Sequence, residues 1–130
     1  MLNFDDIETY KYKLLLKVSK PHSVDPSSSI EADEYFKKLL SSYTGDNDQS
    51  AIIDWLDRQI AERFIAIGDR PRWIQDPGWP FANNEPLIFV GQIDVSAKDN
   101  KVVSSLYHND TSLYVFIGRN TKPVVVIQQY

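Results

Sequence analysis

The stretch Gly68-Asp69-Arg70-Pro71-Arg72-Trp73-Ile74-Gln75-Asp76-Pro77-Gly78-Trp79-Pro80 decides how the rest of the chain is read. Three prolines and two glycines in thirteen residues deny it a regular helix. Two tryptophans in the same window are more aromatic surface than a disordered linker carries, so it reads as an ordered loop held by its rings. The apolar period changes across it, from helical spacing before to strand-like runs after. Downstream, Leu87-Ile88-Phe89-Val90-Gly91-Gln92-Ile93 is a continuous apolar run, expected as a strand buried on both faces or nearly so. Val102 to Tyr107, Leu113 to Ile117 and Val124 to Gln128 read as three further strands, the last two joined by Gly118 to Pro123, a turn of hairpin length.

Upstream, Tyr10, Tyr12, Leu14, Leu16 and Val18 alternate with lysines, and this pattern predicts a half-buried strand over 10–18 with its lysines on the open face. Pro21 and Pro26 break the loop that follows. Ser28 and Glu31 have capping-box spacing ahead of Ala32, Phe36, Leu39, Leu40 and Tyr43, which predicts a helix over 28–43 stopped by Gly45. A second helix, 50–66, opens near Asp48 and stripes Ile52 or Ile53, Leu56, Ile60, Phe64 and Ile67 along one side. Its end, Phe64-Ile65-Ala66-Ile67, is β-branched enough to become a short strand instead. The expected fold is α+β, a single domain over 1–130. Two helices pack on one face of a mainly antiparallel sheet of about five strands: 10–18, 87–93, 102–107, 112–118 and 123–129.

Composition bounds the function. The chain has 130 residues, 42% hydrophobic and 25% charged, and no cysteine, which excludes disulfides, thiolate metal sites and cysteine nucleophiles. Its net charge of −4 argues against direct nucleic-acid binding by phosphate neutralisation. No run approaches the roughly 20 apolar residues a membrane span needs. The opening Met1-Leu2-Asn3-Phe4-Asp5-Asp6 lacks the basic and apolar regions of a secretory signal, so a cytoplasmic location is expected. All of the acidic excess lies in residues 1–65, with 12 acids against 8 bases. Asp46, Asp48, Asp54 and Asp57 occupy a window free of Lys and Arg. Carboxylates there suit a solvated loop and helix start, where they favour the macrodipole. They also suit an acidic docking surface for a basic partner, with Trp55 as an aromatic anchor.

The run Ile67-Gly68-Asp69-Arg70-Pro71-Arg72-Trp73-Ile74-Gln75, then Trp79-Pro80, then Pro86-Leu87-Ile88-Phe89-Val90-Gly91-Gln92-Ile93, resembles the central block of the YwqG-like family of bacterial domains. Leu113 to Ile117 followed by Val124 to Gln128 is similar to the family's closing strand pair. The resemblance covers residues 67–130; this chain has Gly68-Asp69 where members often carry two glycines, and it is shorter than they are. No established catalytic residue carries over. Small members resemble proteins found beside bacterial toxins, which implies an immunity role.

Other constellations weigh less. Trp73, Trp79 and Phe81 with Gln75 and Gln92 are read as packing for the loop, with a small-ligand pocket as the alternative. Arg70 and Arg72 pair with Asp69 and Asp76, or else clamp an anion. His22 and His108 have no ligand partner at metal-site spacing, so no metal and no cofactor is expected. A triad of His108, Asp110 and Ser104 or Ser105 lacks a nucleophile elbow. Asp46-Asn47-Asp48 opens like a calcium loop, but Ala51 and Asp57 stand at its sixth and twelfth positions. The reading is of a non-enzymatic binding protein, an immunity protein that neutralises a basic toxin domain such as a nuclease through Asp46, Asp48, Asp54, Trp55 and Asp57. The alternative is a small-molecule-binding or enzymatic domain using Arg70, Arg72, Trp73, Gln75, Trp79 and Gln92.

Overall fold

In the computed structural model, which describes residues 4–96 and 110–130 with side chains from Asp6 onward, Tyr10–Val18 is helical. It lies within α1, Phe4–Ser19, and the expected strand over 10–18 is corrected. The buried positions are Lys11, Leu14, Leu15, Val18 and Ser19, a stripe at steps of three and four, while Leu16 faces water. The triplet Leu14-Leu15-Leu16 satisfies either period. Leucine and lysine are strong helix formers, and that preference decides the outcome. Lys11 sits in the buried stripe because its ammonium reaches out to Glu8 at 3.7 Å and lies 5.4 Å from the centre of the Tyr43 ring.

A 3-10 turn, Lys20–His22, leads to α2, Ile30–Ser41. The cap of α2 is Ser29 rather than Ser28; its hydroxyl accepts from the Ala32 N–H at 3.0 Å. The helix closes at Ser42, well before Gly45. Helix α3 spans Gln49–Arg63, with the Asp48 carboxylate accepting from Ala51 N–H at its start. Its buried stripe, Ile52, Leu56 and Ile60, ends at Phe64, and Ile67 faces solvent. Past the helix the β-branched run does turn extended: Ala66 bridges in parallel to Phe89, with Ile67 N–H donating to Phe89 O at 2.9 Å.

The sheet differs from one of five strands. Strands β1 (Phe81–Ala82) and β2 (Glu85–Pro86) form a small hairpin directly after the aromatic loop, turned by Asn83 and Asn84 at φ 53° and 63°. Strands β3 (Ile88–Val95), β4 (Thr111–Ile117) and β5 (Val124–Gln129) form a separate antiparallel sheet in that order. The expected strand at 102–107 lies outside the described residues. Strand β3 has one covered face rather than two: Phe89 is buried and Val90 and Ile93 are exposed, with a bulge between Phe89 and Gly91.

The core lies between the three helices and one face of this sheet. Phe36 and Phe64 stack at 5.3 Å, Phe64 meets Trp79 edge-on at 5.4 Å, and Trp79 meets Phe116 at 5.4 Å. The Trp-rich loop thus fills the space between the layers.

Candidate functional site

The inward face of the β3–β4–β5 sheet has two halves. Phe89 pairs with Phe116, and Phe116 with Val124, and this apolar end meets the core. At the other end Gln92, Asp94, Ser112, Tyr114 and Gln128 all point inward. Strand pairing sets Gln92 beside Tyr114, Asp94 beside Ser112 and Ser112 beside Gln128. A polar inward row needs partners, because buried polar groups left unpaired cost about 1–3 kcal/mol each. The loop's backbone supplies them.

Gln92 accepts from Arg72 N–H through Oε1 at 2.8 Å and donates to Arg72 O through Nε2 at 3.2 Å. The Tyr114 hydroxyl donates to Arg72 O at 2.9 Å and accepts from Ile74 N–H at 3.1 Å. Gln128 Oε1 accepts from both Ile74 N–H and Gln75 N–H at 2.9 Å, while Nε2 donates to Asp76 O at 2.9 Å. Side-chain amides and a phenol therefore do for residues 72–76 what a neighbouring strand would otherwise do.

Two long-range bonds tie the same loop to the helical layer. Trp73 Nε1 donates to Ser23 O at 2.8 Å, and Arg70 donates to His22 O at 3.0 Å. The Trp73 ring lies tilted on Tyr114 at 4.4 Å. Trp79, only 2% exposed, donates from Nε1 to Leu87 O at 2.8 Å. The expected arginine pairing with Asp69 and Asp76 is corrected. Arg72 instead meets Asp94 at 3.3 Å, and Arg70 lies 5.8 Å from the Trp79 ring centre, where burial lowers its pKa. Hydrogen bonds from Ser112 and then Gln92 hold the Asp94 carboxyl below its ordinary value. Of the predicted pocket residues, Arg72, Trp73 and Gln92 line one open cavity of about 500 Å³, together with Asp94 and Ser112. Arg70, Gln75 and Trp79 do not line it. Sequence reasoning gave Asp94, Ser112 and Tyr114 no site role and met Gln128 only as a strand residue; the available signal was a glutamine at an inward β5 position beside Val124 and Val126.

The acidic set lies elsewhere. Asp46, Asp48, Asp54 and Asp57 are all exposed along the α2–α3 loop and the solvent side of α3. Two of them have structural partners: Asp48 caps α3, and Asp57 Oδ1 lies 2.7 Å from His22 Nε2, linking the 3-10 turn to the helix. Trp55 is not a free anchor, because it is partly buried against Tyr43 with ring centres 5.0 Å apart. The Tyr43 hydroxyl in turn donates to Asp46 O and fixes the loop that carries the acids.

Among the described residues no group of three or more His, Asp or Glu is placed to hold a metal ion, and no helix is long and apolar enough to cross a membrane. No family model, curated protein or solved structure matches the chain.

Proposed function

We propose that the protein is a non-enzymatic binding protein that captures a basic protein partner on the face formed by Asp46, Asp48, Asp54 and Asp57. The observation that carries this reading is the contrast between the two candidate regions. The amides and tryptophans of the 70–92 region are bonded to the protein's own backbone, whereas the four carboxylates of the α2–α3 loop and α3 are all exposed, and only Asp48 and Asp57 of them bond within the protein. A row of fixed carboxylates raises the encounter rate with a basic surface and selects against acidic ones. The finer form of the proposal, an immunity protein against a cytoplasm-acting toxin such as a nuclease, rests on the resemblance of residues 67–130 to YwqG-like domains. A nuclease holds phosphates in a basic groove, and such a groove also accepts carboxylates.

The test is to co-express the chain with each basic protein that proves to be encoded beside its gene, and to measure complex formation together with any loss of that protein's toxicity. A one-to-one complex and restored growth are expected. Absence of binding overturns the proposal. The second reading, a small polar ligand at Arg72, Trp73 and Gln92, is favoured by the cavity of about 500 Å³, a size that suits such ligands. It predicts that Arg72→Ala abolishes function while binding through the acidic face is intact.

A further inference from the structure

The chain carries 18 acids against 14 bases, yet Arg63 and Arg119 border one open cavity and among the described residues neither forms an ion pair. The cavity, about 540 Å³, lies where the end of α3, the β1–β2 hairpin and the β4–β5 turn meet, with Tyr35 of α2 beside them. Arg63 is fixed without being neutralised. Its Nε donates to Gln59 Oε1 and its Nη1 to the Tyr35 hydroxyl, each at 3.0 Å, so neither acceptor is a carboxylate and three of its five N–H groups remain. The Tyr35 ring is itself held edge-on by Phe36 and Phe64, at 5.6 and 5.9 Å, and lies 5.4 Å from Phe81. Its hydroxyl accepts from Arg63, and among the described residues its own proton has no acceptor. Arg119 follows Gly118, where a Cβ would run into the buried Leu87 side chain, so the turn lies close against the sheet and brings Arg119 to the cavity. The rest of the lining is Ile65, Pro86 and Ile88, with Asn84 and one acid, Glu85.

We propose that this cavity binds a small organic acid, a single carboxylate on an apolar body. Arg63, Arg119 and the Tyr35 hydroxyl take the carboxylate, and Ile65, Pro86 and Ile88 take the body. Charge sets the valence of the ligand. Two guanidiniums against Glu85 leave a single positive charge, which one carboxylate neutralises, whereas a dianionic phosphate monoester brings excess charge beside Glu85. Shape agrees, because the planar guanidinium fork matches a planar carboxylate in a two-bond contact. The helix dipole favours a cation in the last turn of α3. That accounts for the charge of Arg63 but not for its tether to an amide and a phenol beside a second guanidinium. A smaller neighbouring cavity of about 260 Å³ shares Tyr35, Arg63 and Asn84, but Glu31 and Glu34 border it, so the carboxylate belongs on the Arg119 side. None of these residues belongs to the acidic set or to the cavity at Arg72 and Trp73, so the proposal stands apart from the function proposed above.

The test titrates benzoate and hexanoate into the nitrogen-labelled full chain at low salt and follows its amide chemical shifts, with benzamide, hexanamide and phenyl phosphate as comparison ligands. The expected dissociation constant for the acids is about 1 mM, in keeping with ligands of roughly ten heavy atoms at an open site. Shifts are expected at Ile65, Asn84 and Gly118, and the amides and phenyl phosphate should bind at least about tenfold more weakly. Arg119→Gln, on an exposed turn, and Arg63→Gln should each weaken benzoate binding about tenfold, and Arg63→Lys should recover only part of that loss because an ammonium lacks the fork. An unchanged Tm shows that each variant still folds. Four results overturn the proposal: no binding of either acid up to about 20 mM, amides or phenyl phosphate that bind as well as the acids, benzoate binding unchanged in Arg119→Gln, or shifts centred on Arg72 and Trp73 instead.

Discussion

Gln128→Leu removes the side chain of the interior polar row that serves the most loop backbone groups, at similar volume. In the wild type Gln128 serves three backbone groups: Ile74 N–H, Gln75 N–H and Asp76 O. Ile74 N–H keeps the Tyr114 hydroxyl as a second acceptor, so the substitution orphans two groups rather than three. Each costs about 1–3 kcal/mol when buried, and these are part-buried, so the expected loss is about 1.5–3 kcal/mol. For a chain of 130 residues that corresponds to a fall in Tm of about 5–12 °C. Tyr114→Phe alone takes one of the two donors from Arg72 O, since Gln92 Nε2 still donates to it. Only the double variant leaves Ile74 N–H without either acceptor, so its loss should exceed the sum of the singles by about 1 kcal/mol. Calorimetric melts of the four proteins measure both quantities. A fall of less than about 2 °C for Gln128→Leu, or strict additivity, refutes the view that this row holds the loop in place of a strand.

Three further outcomes follow from the same geometry. Trp79→Ala, at a fully enclosed ring, should lose about 3–5 kcal/mol, and Trp73→Ala should lose less because that ring is only partly buried; equal losses by denaturant unfolding refute the ranking. Asp94 sits below the ordinary carboxyl value of 3.8 because Ser112 and Gln92 donate to its ionised form, so its stabilisation is present above that value and is lost as pH falls through the lower folded one. The stability gap between wild type and Asp94→Asn should therefore be constant near neutrality and close in acid below 3.8, as read from urea unfolding at several pH values. Thr121 Oγ1 is buried without a hydrogen-bond partner among the described residues, so Thr121→Val should be neutral or stabilise by up to about 1 kcal/mol; a Tm that falls by several degrees contradicts this.

What the sequence made legible depended on how many periods a segment could satisfy. Helices α2 and α3 were readable because Phe36, Leu39 and Leu40, and then Ile52, Leu56 and Ile60, fit only the helical one. The segment 10–18 fits both, and the competing stripe through Lys11 was invisible while lysine was counted as a surface residue. With that strand helical and 102–107 outside the described residues, the main sheet has three strands among the described residues, and the hairpin that follows the aromatic loop was signalled only by Asn83-Asn84, two residues that tolerate positive φ. The role of the tryptophan N–H groups in satisfying the loop was predictable from their types, and the bonds to Ser23 and Leu87 carbonyls have that character. Their partners were not, because they lie 50 and 8 residues away and depend on how the layers meet. The acidic window was plain in the sequence, but not that Asp48 and Asp57 also carry structural bonds while Trp55 packs inward.

That last distinction chooses the variant for the deciding experiment. Among the described residues the carboxylates of Asp46 and Asp54 accept no side-chain or capping bond, so Asp46→Lys/Asp54→Lys cancels the net charge of the four-residue set without removing the α3 cap or the His22 link. The measurement is the association rate with the basic partner that the co-expression test identifies, at low and moderate salt, on samples whose Tm is recorded in parallel. The account predicts a rate at least about tenfold slower at low salt, converging toward wild type as salt rises, with Tm unchanged. A rate equal to wild type at both salt concentrations contradicts it.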